Sequence, residues 1–415
     1  MSIEKQYDVL VIGGGAAGMI AAATGAEQGY TTALLEKNDR LGRKLLITGK
    51  GRCNICNDCD VNTVIEHVPT NPRFLYGAVS KFPPEDVIDF FTSHGLAVKT
   101  ERGNRVFPES DRAKDVVDTL VRYVHQSGAQ ILKGTAKNLL IEDGAVKGVV
   151  TGDGKTILAE NVIVCCGGMS YPLTGSTGDG YRLAEQAGHT IVPPRPSLVP
   201  LVAYGTDCGA MQGLSLRNIR IRVLKTESGK EVYEDFGELL FTHFGLSGPV
   251  ILSASSHMQK MAAGKYQVSI DLKPALTEEQ LDLRLQRDFE KNLNKDFANA
   301  LGDLLPRKMI PVMVKRSGIP ADRKCNQITR EERHRFLSLL KNFSVTIKGF
   351  RPIEEAIITS GGVSVKEVSP KTMGSKLVSG LYFAGEVLDV DAYTGGFNLQ
   401  IAFATGKLAG SSVYQ

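Results

Sequence analysis

The chain lacks a surplus of either charge. Its 49 Lys and Arg stand against 45 Asp and Glu, a formal net charge of +4 over 415 residues. So small a bias argues against nucleic acid or a membrane surface as partner. No uninterrupted apolar run reaches the ~18 residues of a membrane span. The polar start, residues 1–6, lacks the basic-then-apolar order of a secretory leader. Its 7 cysteines are an odd number in a long chain, which fits no disulfide framework. These absences point to a reduced, cytoplasmic protein with a small-molecule substrate. Trp is also missing, and that alone excludes nothing.

Glycine is what the chain has in excess, 44 of 415 residues against a usual ~7%. The glycines are clustered, which suits backbone packed close to a ligand. At about 150 residues per domain, the length predicts two or three domains. Residues 7–12 (YDVLVI) read as a buried parallel strand, 16–28 as a helix and 31–35 as a second strand. Strand, helix and strand in that order are the unit of a doubly wound sheet. Between the first two lies Gly13-Gly14-Gly15-Ala16-Ala17-Gly18. The first glycine of this GxGxxG permits a tight turn, the second lets backbone approach a pyrophosphate, and the third lets helix and strand pack closely. The helix N-terminus offers free N–H groups and positive dipole to phosphates. Glu36 follows the second strand, placed to bind ribose hydroxyls and repel a 2′-phosphate.

Further along, 84–94 and 113–127 have helical spacing. Residues 130–140 and 146–151 read as strands about a turn at Asp143-Gly144, and 161–166 as a buried strand ending in Gly167-Gly168. Pro193, Pro194, Pro196 and Pro200 mark a boundary. Antiparallel strands are predicted over 219–225, 230–234 and 266–272. A charged helical stretch follows, opened by a capping box at Thr277 and Gln280. Strands resume at 344–347, 356–358 and 380–383, and Gly395-Gly396 opens a last helix running to about 408. The implied architecture is α/β. Residues 1–192 and 355–415 form a discontinuous domain. Its insertion is a β-domain, 193–276 and 343–354, carrying a helical subdomain, 277–342.

The C-terminal cluster separates FAD from NAD as the cofactor. Gly385-Glu386 follows a strand, and Thr394-Gly395-Gly396-Phe397-Asn398-Leu399 opens a helix. An acid there can hold a ribityl chain. Helical N–H groups can face a flavin pyrimidine and stabilise an anionic reduced flavin. No second GxGxxG unit occurs, so NAD(P)H, if it reduces the flavin, docks transiently.

The stretches GRKLLITGKGRCN (42–54), LLFTHFGLSGPVIL (239–252), TSGGV (359–363) and TMGSKLVSGLYFAGEVLDVDAYTGGFNLQIAFATG (372–406) resemble the BaiN/YhiN-like family of bacterial flavoproteins. Members are described as NAD(P)/FAD-dependent oxidoreductases, one branch as aminoacetone oxidase. The resemblance spans essentially the whole chain. It implies a glutathione-reductase-like FAD-binding Rossmann domain with an inserted β-barrel and a helical subdomain. By position it assigns Gly13, Gly15, Gly18 and Glu36 to the ADP moiety. Lys37, Arg43, Lys44 and the loop Gly49, Gly51, Arg52, Cys53, Asn54 run along the FAD. Gly385, Glu386, Gly395, Gly396, Asn398 and Leu399 belong to the flavin end, where Asp389 competes with Glu386 for the ribityl chain. Ala136, Cys166, Gly167 and Gly168 complete the cofactor-binding set.

Cys53-x-x-Cys56-x-x-Cys59 has neither the fourth ligand of an iron–sulfur cluster nor a second zinc pair, so no metal is expected. A redox-active Cys53–Cys56 pair beside the flavin is one reading; a loop of small polarizable side chains is the other. Lys50, His243 and Tyr393 are the catalytic candidates. Lys50 would polarise an anionic substrate, His243 would act as acid or base, and Tyr393 would sit at the isoalloxazine. The alternatives are phosphate binding for Lys50, a turn histidine for His243 and a core aromatic for Tyr393. The expected function is an FAD-dependent oxidoreductase moving a hydride between flavin N5 and a small organic substrate. Reduction of an unsaturated carbonyl compound and oxidation of a small amine both fit, and the oligomeric state stays open. Two other readings are a non-catalytic flavin sensor and a thiol–disulfide enzyme.

Overall fold

A computed structural model describes residues 3–414, with side chains from Gln6 onward. The chain divides into two compact units, Met1–Ser197 with Pro352–Gln415, and Leu198–Arg351.

The first unit is built on a seven-stranded sheet. Ile3–Ile12 pairs in parallel with Thr32–Glu36 on one side and Thr156–Val164 on the other. Every residue of Thr32–Glu36 is buried, as befits a strand covered on both faces. Leu381–Phe383 joins the same sheet in parallel beside Thr156–Val164. Helix Ala16–Glu27 packs on the last helix, Phe397–Ser411. A Cβ at Gly406 would lie 2.4 Å from the carbonyl oxygen of Ala17, and one at Gly410 2.5 Å from that of Ala21. Small residues four apart on both helices thus let the backbones touch and bind the two ends of the chain together.

One local expectation fails here. Residues 130–140 are not one strand. Gln130–Lys133 runs parallel to Thr32–Glu36, while Ala136–Glu142 pairs antiparallel with Ala145–Thr151. The chain breaks at Gly134, whose N–H donates to the Glu36 carbonyl. The prolines flank the division between the units at Ser197 and Leu198 without breaking the strand before it. Ile191–Ser197 is a strand, antiparallel to Ile358–Val363. Its register shifts between Val192 and Arg195, so Pro193 and Pro194 fall where a missing N–H removes no ladder bond.

The second unit is a closed six-stranded barrel, in the order Leu201–Ala203, Gly245–Ser247, Glu231–Phe241, Ser215–Lys225, Tyr266–Asp271 and Phe343–Phe350. Alternation along Ser215–Lys225 sends Leu216, Ile219, Ile221 and Val223 inward. Helices Glu278–Lys291, Ile310–Ser317 and Arg330–Lys341 share one apolar core with the barrel, through Leu285, Met313 and Phe336 among others. The capping box at Thr277 and Gln280 is formed, and a second caps Arg330–Lys341 at Thr329 and Glu332. Among the described residues, no helix is long and apolar enough to cross a membrane.

Candidate functional site

Three glycines shape the turn after the first strand, each differently. Gly13 has φ 102°, and a Cβ there would lie 2.6 Å from the Cys165 carbonyl oxygen. At Gly18 it would lie 1.8 Å from the oxygen of Gly13, whereas at Gly15 nothing lies within 4 Å. Two glycines therefore close the packing and the middle one faces open space. Helix Ala16–Glu27 starts at Gly15 with no side-chain cap and no acid in its first turn, so its N–H groups and positive dipole remain free. Glu36, only 8% exposed, is fixed to this turn. Its Oε2 accepts from Gly14 N at 2.6 Å and its Oε1 from Asn38 N at 2.7 Å. Lys37 pairs with Asp179 at 2.6 Å, and Arg43 donates to Asn38 Oδ1. Gly167 and Gly168 leave the carboxyl end of the central strand, where a Cβ at Gly168 would lie 2.4 Å from Thr359 Oγ1. Cys166 touches Gly180 in the same region, while Ala136 is buried and its carbonyl accepts from Arg182. The carboxyl edge of a parallel sheet is where doubly wound folds bind ligands.

The loop after Leu45 is strained. Gly49, Lys50, Gly51 and Cys53 have φ of 56°, 59°, 84° and 60°, a left-handed region that Lys and Cys seldom adopt. Arg52 anchors it. Its guanidinium binds Glu101 and Asp111 and lies 4.1 Å from the Phe107 ring centroid. Both carboxylates are held below their usual range, Glu101 chiefly by Arg52 and Asp111 by Lys99 and then Arg52. The structure thus engages Arg52 with the protein itself. Lys50 is exposed, and Asn54 keeps a buried Oδ1 with no hydrogen-bond partner among the described residues.

The C-terminal cluster meets this loop. A Cβ at Gly396, φ 102°, would lie 2.3 Å from the Cys56 carbonyl carbon, and Asn57 donates to the Gly395 carbonyl at 3.1 Å. The last helix begins at Gly396 without a side-chain cap or an acid in its first turn. Asn398 brackets Ala392, accepting from its N–H at 2.9 Å and donating to its carbonyl at 2.8 Å. Leu399 packs on the core. Gly385 donates to Thr405 Oγ1. Glu386 accepts from Lys44 Nζ at 2.6 Å, Ser170 Oγ at 3.1 Å and Thr359 N at 2.9 Å. Asp389 accepts from Asn71, and burial raises its pKa. Tyr393 donates its N–H to the His67 carbonyl, and its ring meets the edge of the His67 ring, which stacks on Phe397 at 4.3 Å.

Sequence patterns gave no warning of Ser170, Thr359, Asn71 or His67, since lone polar residues carry no spacing signal. His243 belongs to the second unit, exposed at the tip of a turn that Thr242 and Gly245 close. The thiols are unsuited to exchange. Burial pushes Cys53 up to about 12 and Cys59 to about 11, and raises Cys56 further. Burial thus disfavours the thiolate, the form that attacks a disulfide.

Comparison with known proteins places the chain. The family model for the HI0933-like protein Rossmann domain matches residues 7–412. Over 406 residues the chain is 32% identical to the 3-dehydro-bile acid delta(4,6)-reductase of Clostridium scindens, covering 96% of this chain and 97% of that protein. Over 404 residues it is 31% identical to the ribosomal RNA dihydrouridine synthase of Escherichia coli, covering 97% and 96%. In fold it is similar to the 3-ketosteroid delta1-dehydrogenase of Sterolibacterium denitrificans, with a TM-score of 0.54, 12% identity, and 98% of this chain and 99% of that chain covered. The chain belongs to the HI0933-like Rossmann family.

Proposed function

We propose that the protein reduces a carbon–carbon double bond conjugated to a carbonyl. One observation carries this: two relatives of equal similarity have unlike substrates in their names, yet those substrates share one reactive group. A 3-oxo steroid with double bonds at positions 4 and 6 is a conjugated enone. Uridine has its 5,6 double bond conjugated to the C4 carbonyl, and dihydrouridine is its saturated form. Hydride addition at the carbon β to the carbonyl suits both. Nothing in the site favours amine oxidation, and the high thiol pKa values count against disulfide exchange.

FAD fits the residues present. The open turn at Gly15 and the uncapped helix after it would take the pyrophosphate, and Glu36 the ribose. Lys44, Ser170 and Glu386 would line the ribityl chain. The unpartnered Asn54 Oδ1 would accept from a flavin N–H, and the uncapped helix at Gly396 would stabilise negative charge on the pyrimidine. When bound and reduced, FAD would supply the hydride. Tyr393, held against His67 next to Gly395, would donate the proton to the carbon α to the carbonyl. NAD(P)H serves as the external reductant, docking transiently. We place the reaction in the cytoplasm, where seven free cysteines stay reduced.

The test is product analysis. The holoprotein is incubated anaerobically with NADPH or NADH and an unsaturated 3-oxo steroid, and the product is weighed by mass spectrometry. The product should gain two hydrogens per nicotinamide consumed. Unchanged steroid and uridine, with aminoacetone oxidised instead, would overturn the reading.

A further inference from the structure

A cavity of about 570 Å³ opens in the first unit between residues 40–47 and 171–174, within the ~300–1,000 Å³ of small-molecule sites. Much of its wall is apolar, with Ile47 from one segment and Tyr171 and Leu173 from the other. Its charged lining is Arg40, Arg43 and Glu354, two cations against one acid.

Packing of the fold does not account for this lining. Leu173 is 87% exposed, more than any other large apolar side chain among the described residues. Ile47 is exposed too. Tyr171 has φ 53° and ψ 60°, a left-handed conformation that a bulky residue seldom adopts. Strain of this kind collects at ligand clamps, and here the Tyr171 N–H is tied to the Glu354 carbonyl at 3.3 Å. The arginines are exposed, and neither has a carboxylate partner among the described residues; Asp39, the neighbouring acid, pairs with Lys133. Arg43 is nevertheless aimed. It donates to Asn38 Oδ1 at 3.0 Å, while Asn38 Nδ2 donates to Glu36 Oε1 at 2.7 Å and to the Thr174 carbonyl at 3.1 Å.

The chemistry of the slot is specific. An aromatic and aliphatic wall takes a planar ring, and free guanidinium groups take phosphates. A dinucleotide offers both. The slot also adjoins the flavin end of the cofactor site. Arg43 precedes Lys44 and Tyr171 follows Ser170, and the side chains of Lys44 and Ser170 meet on Glu386. The chain has one GxGxxG unit, which FAD would occupy, so a second dinucleotide needs a site of another kind.

We infer that this slot docks NAD(P)H, with its nicotinamide ring against Tyr171 and its phosphates on Arg40 and Arg43. The inference rests on the reading above that NAD(P)H is the external reductant, and names where it docks. The step is a two-electron transfer. The nicotinamide C4–H bond breaks and the hydride forms a bond to flavin N5, leaving NAD(P)+ and an anionic reduced flavin.

The test is a calorimetric titration of the oxidised holoprotein with NADP+ and with NAD+, which bind without reacting, beside anaerobic bleaching of the flavin by NADPH and NADH. One dinucleotide or both should bind one to one, and bleaching should saturate. Tighter binding of NADP+ gives the arginines the 2′-phosphate; equal binding gives them the pyrophosphate. Arg40→Glu and Leu173→Asp should each weaken binding at least about tenfold. Both side chains are exposed, so melting temperature and flavin content should match wild type. Lys147→Glu, the same charge change at an exposed position of strand Ala145–Thr151, should bind as wild type. Absence of binding by wild type would overturn the inference. So would unchanged binding by Arg40→Glu and Leu173→Asp, or equal weakening by Lys147→Glu. Loss of yellow colour in Arg40→Glu would give the slot to FAD and overturn it as well. The reductase reading is judged separately, with flavin reduced by dithionite. If that flavin saturates a conjugated double bond while neither dinucleotide binds, the reductase reading stands and this inference falls. If a dinucleotide binds and bleaches the flavin as described but no double bond is saturated, the docking site stands alone.

Discussion

The two units use their charged and small residues in opposite ways. In the first, three cations of the candidate site are paired internally, Arg52 with Glu101 and Asp111, Lys37 with Asp179 and Lys44 with Glu386, while Lys50 stays exposed. Its glycines bring backbone against backbone at Gly13, Gly18, Gly396 and Gly406. In the second, a barrel and three helices close an ordinary apolar core, and Arg307, Lys308, Lys315, Arg330 and Arg335 are among the cations exposed outside it. One unit is built on close backbone contacts, which tolerate little change. The other is a barrel and helices around a shared apolar core, with cations left on its surface.

That contrast predicts a ranking of mutational effects. The largest belongs to Gly396→Ala. It adds a Cβ 2.3 Å from the Cys56 carbonyl carbon at φ 102° and should cost about 3 kcal/mol. The purified protein should lack yellow colour, read as the ratio of visible to ultraviolet absorbance. Full flavin content would break the comparison. Next is Glu386→Ala, which strips Lys44, Ser170 and the Thr359 N–H of a shared acceptor. With side chains only 22% and 15% exposed, the loss should be about 2 kcal/mol. Thermal melts and FAD titration of the apoprotein measure it.

A smaller effect is tied to pH. Burial raises the Asp389 pKa above its ordinary value. The folded state therefore holds this proton more tightly than the unfolded state, and folding is penalised as pH rises through the raised value. Asp389→Asn should melt like wild type below the ordinary carboxylate range and above wild type at neutral pH. The Asn71 bond can survive, because an asparagine oxygen also accepts. A melting difference independent of pH would contradict this. The smallest effect is Cys53→Ser. With the thiol pKa near 12, the reduced spectrum and turnover should change less than about threefold. Loss of a long-wavelength charge-transfer band would restore the thiol reading.

Much of the first unit is legible in the sequence because its constraints are local. The apolar run before Gly13, the spacing to Gly18 and the acid at Glu36 all lie within one strand–helix–strand unit, and the α/β fold follows; the inserted barrel was implied by the family resemblance instead. The failures involve partners distant in sequence. Gly134 breaks a strand because its neighbours on the sheet change. Pro193 and Pro194 are tolerated because their register shift lies against Ile358–Val363, far along the chain. Arg52 looks like a ligand to phosphate until the hairpin bearing Glu101 and Asp111 folds beside it. Net charge is a coarse signal for a related reason. A sum over the whole chain averages a −3 unit with a +7 unit, and the boundary between them is a property of the fold.

The central claim, reduction of a conjugated double bond, is tested most directly by the oxidative half-reaction. The bound flavin is reduced with one equivalent of NADPH or dithionite without oxygen, then mixed with an unsaturated 3-oxo steroid or a uridine-containing RNA. The account predicts that one of the two restores the oxidised flavin spectrum with stoichiometric saturation of its double bond. Flavin that stays reduced with both, and is reoxidised by oxygen alone, would contradict it.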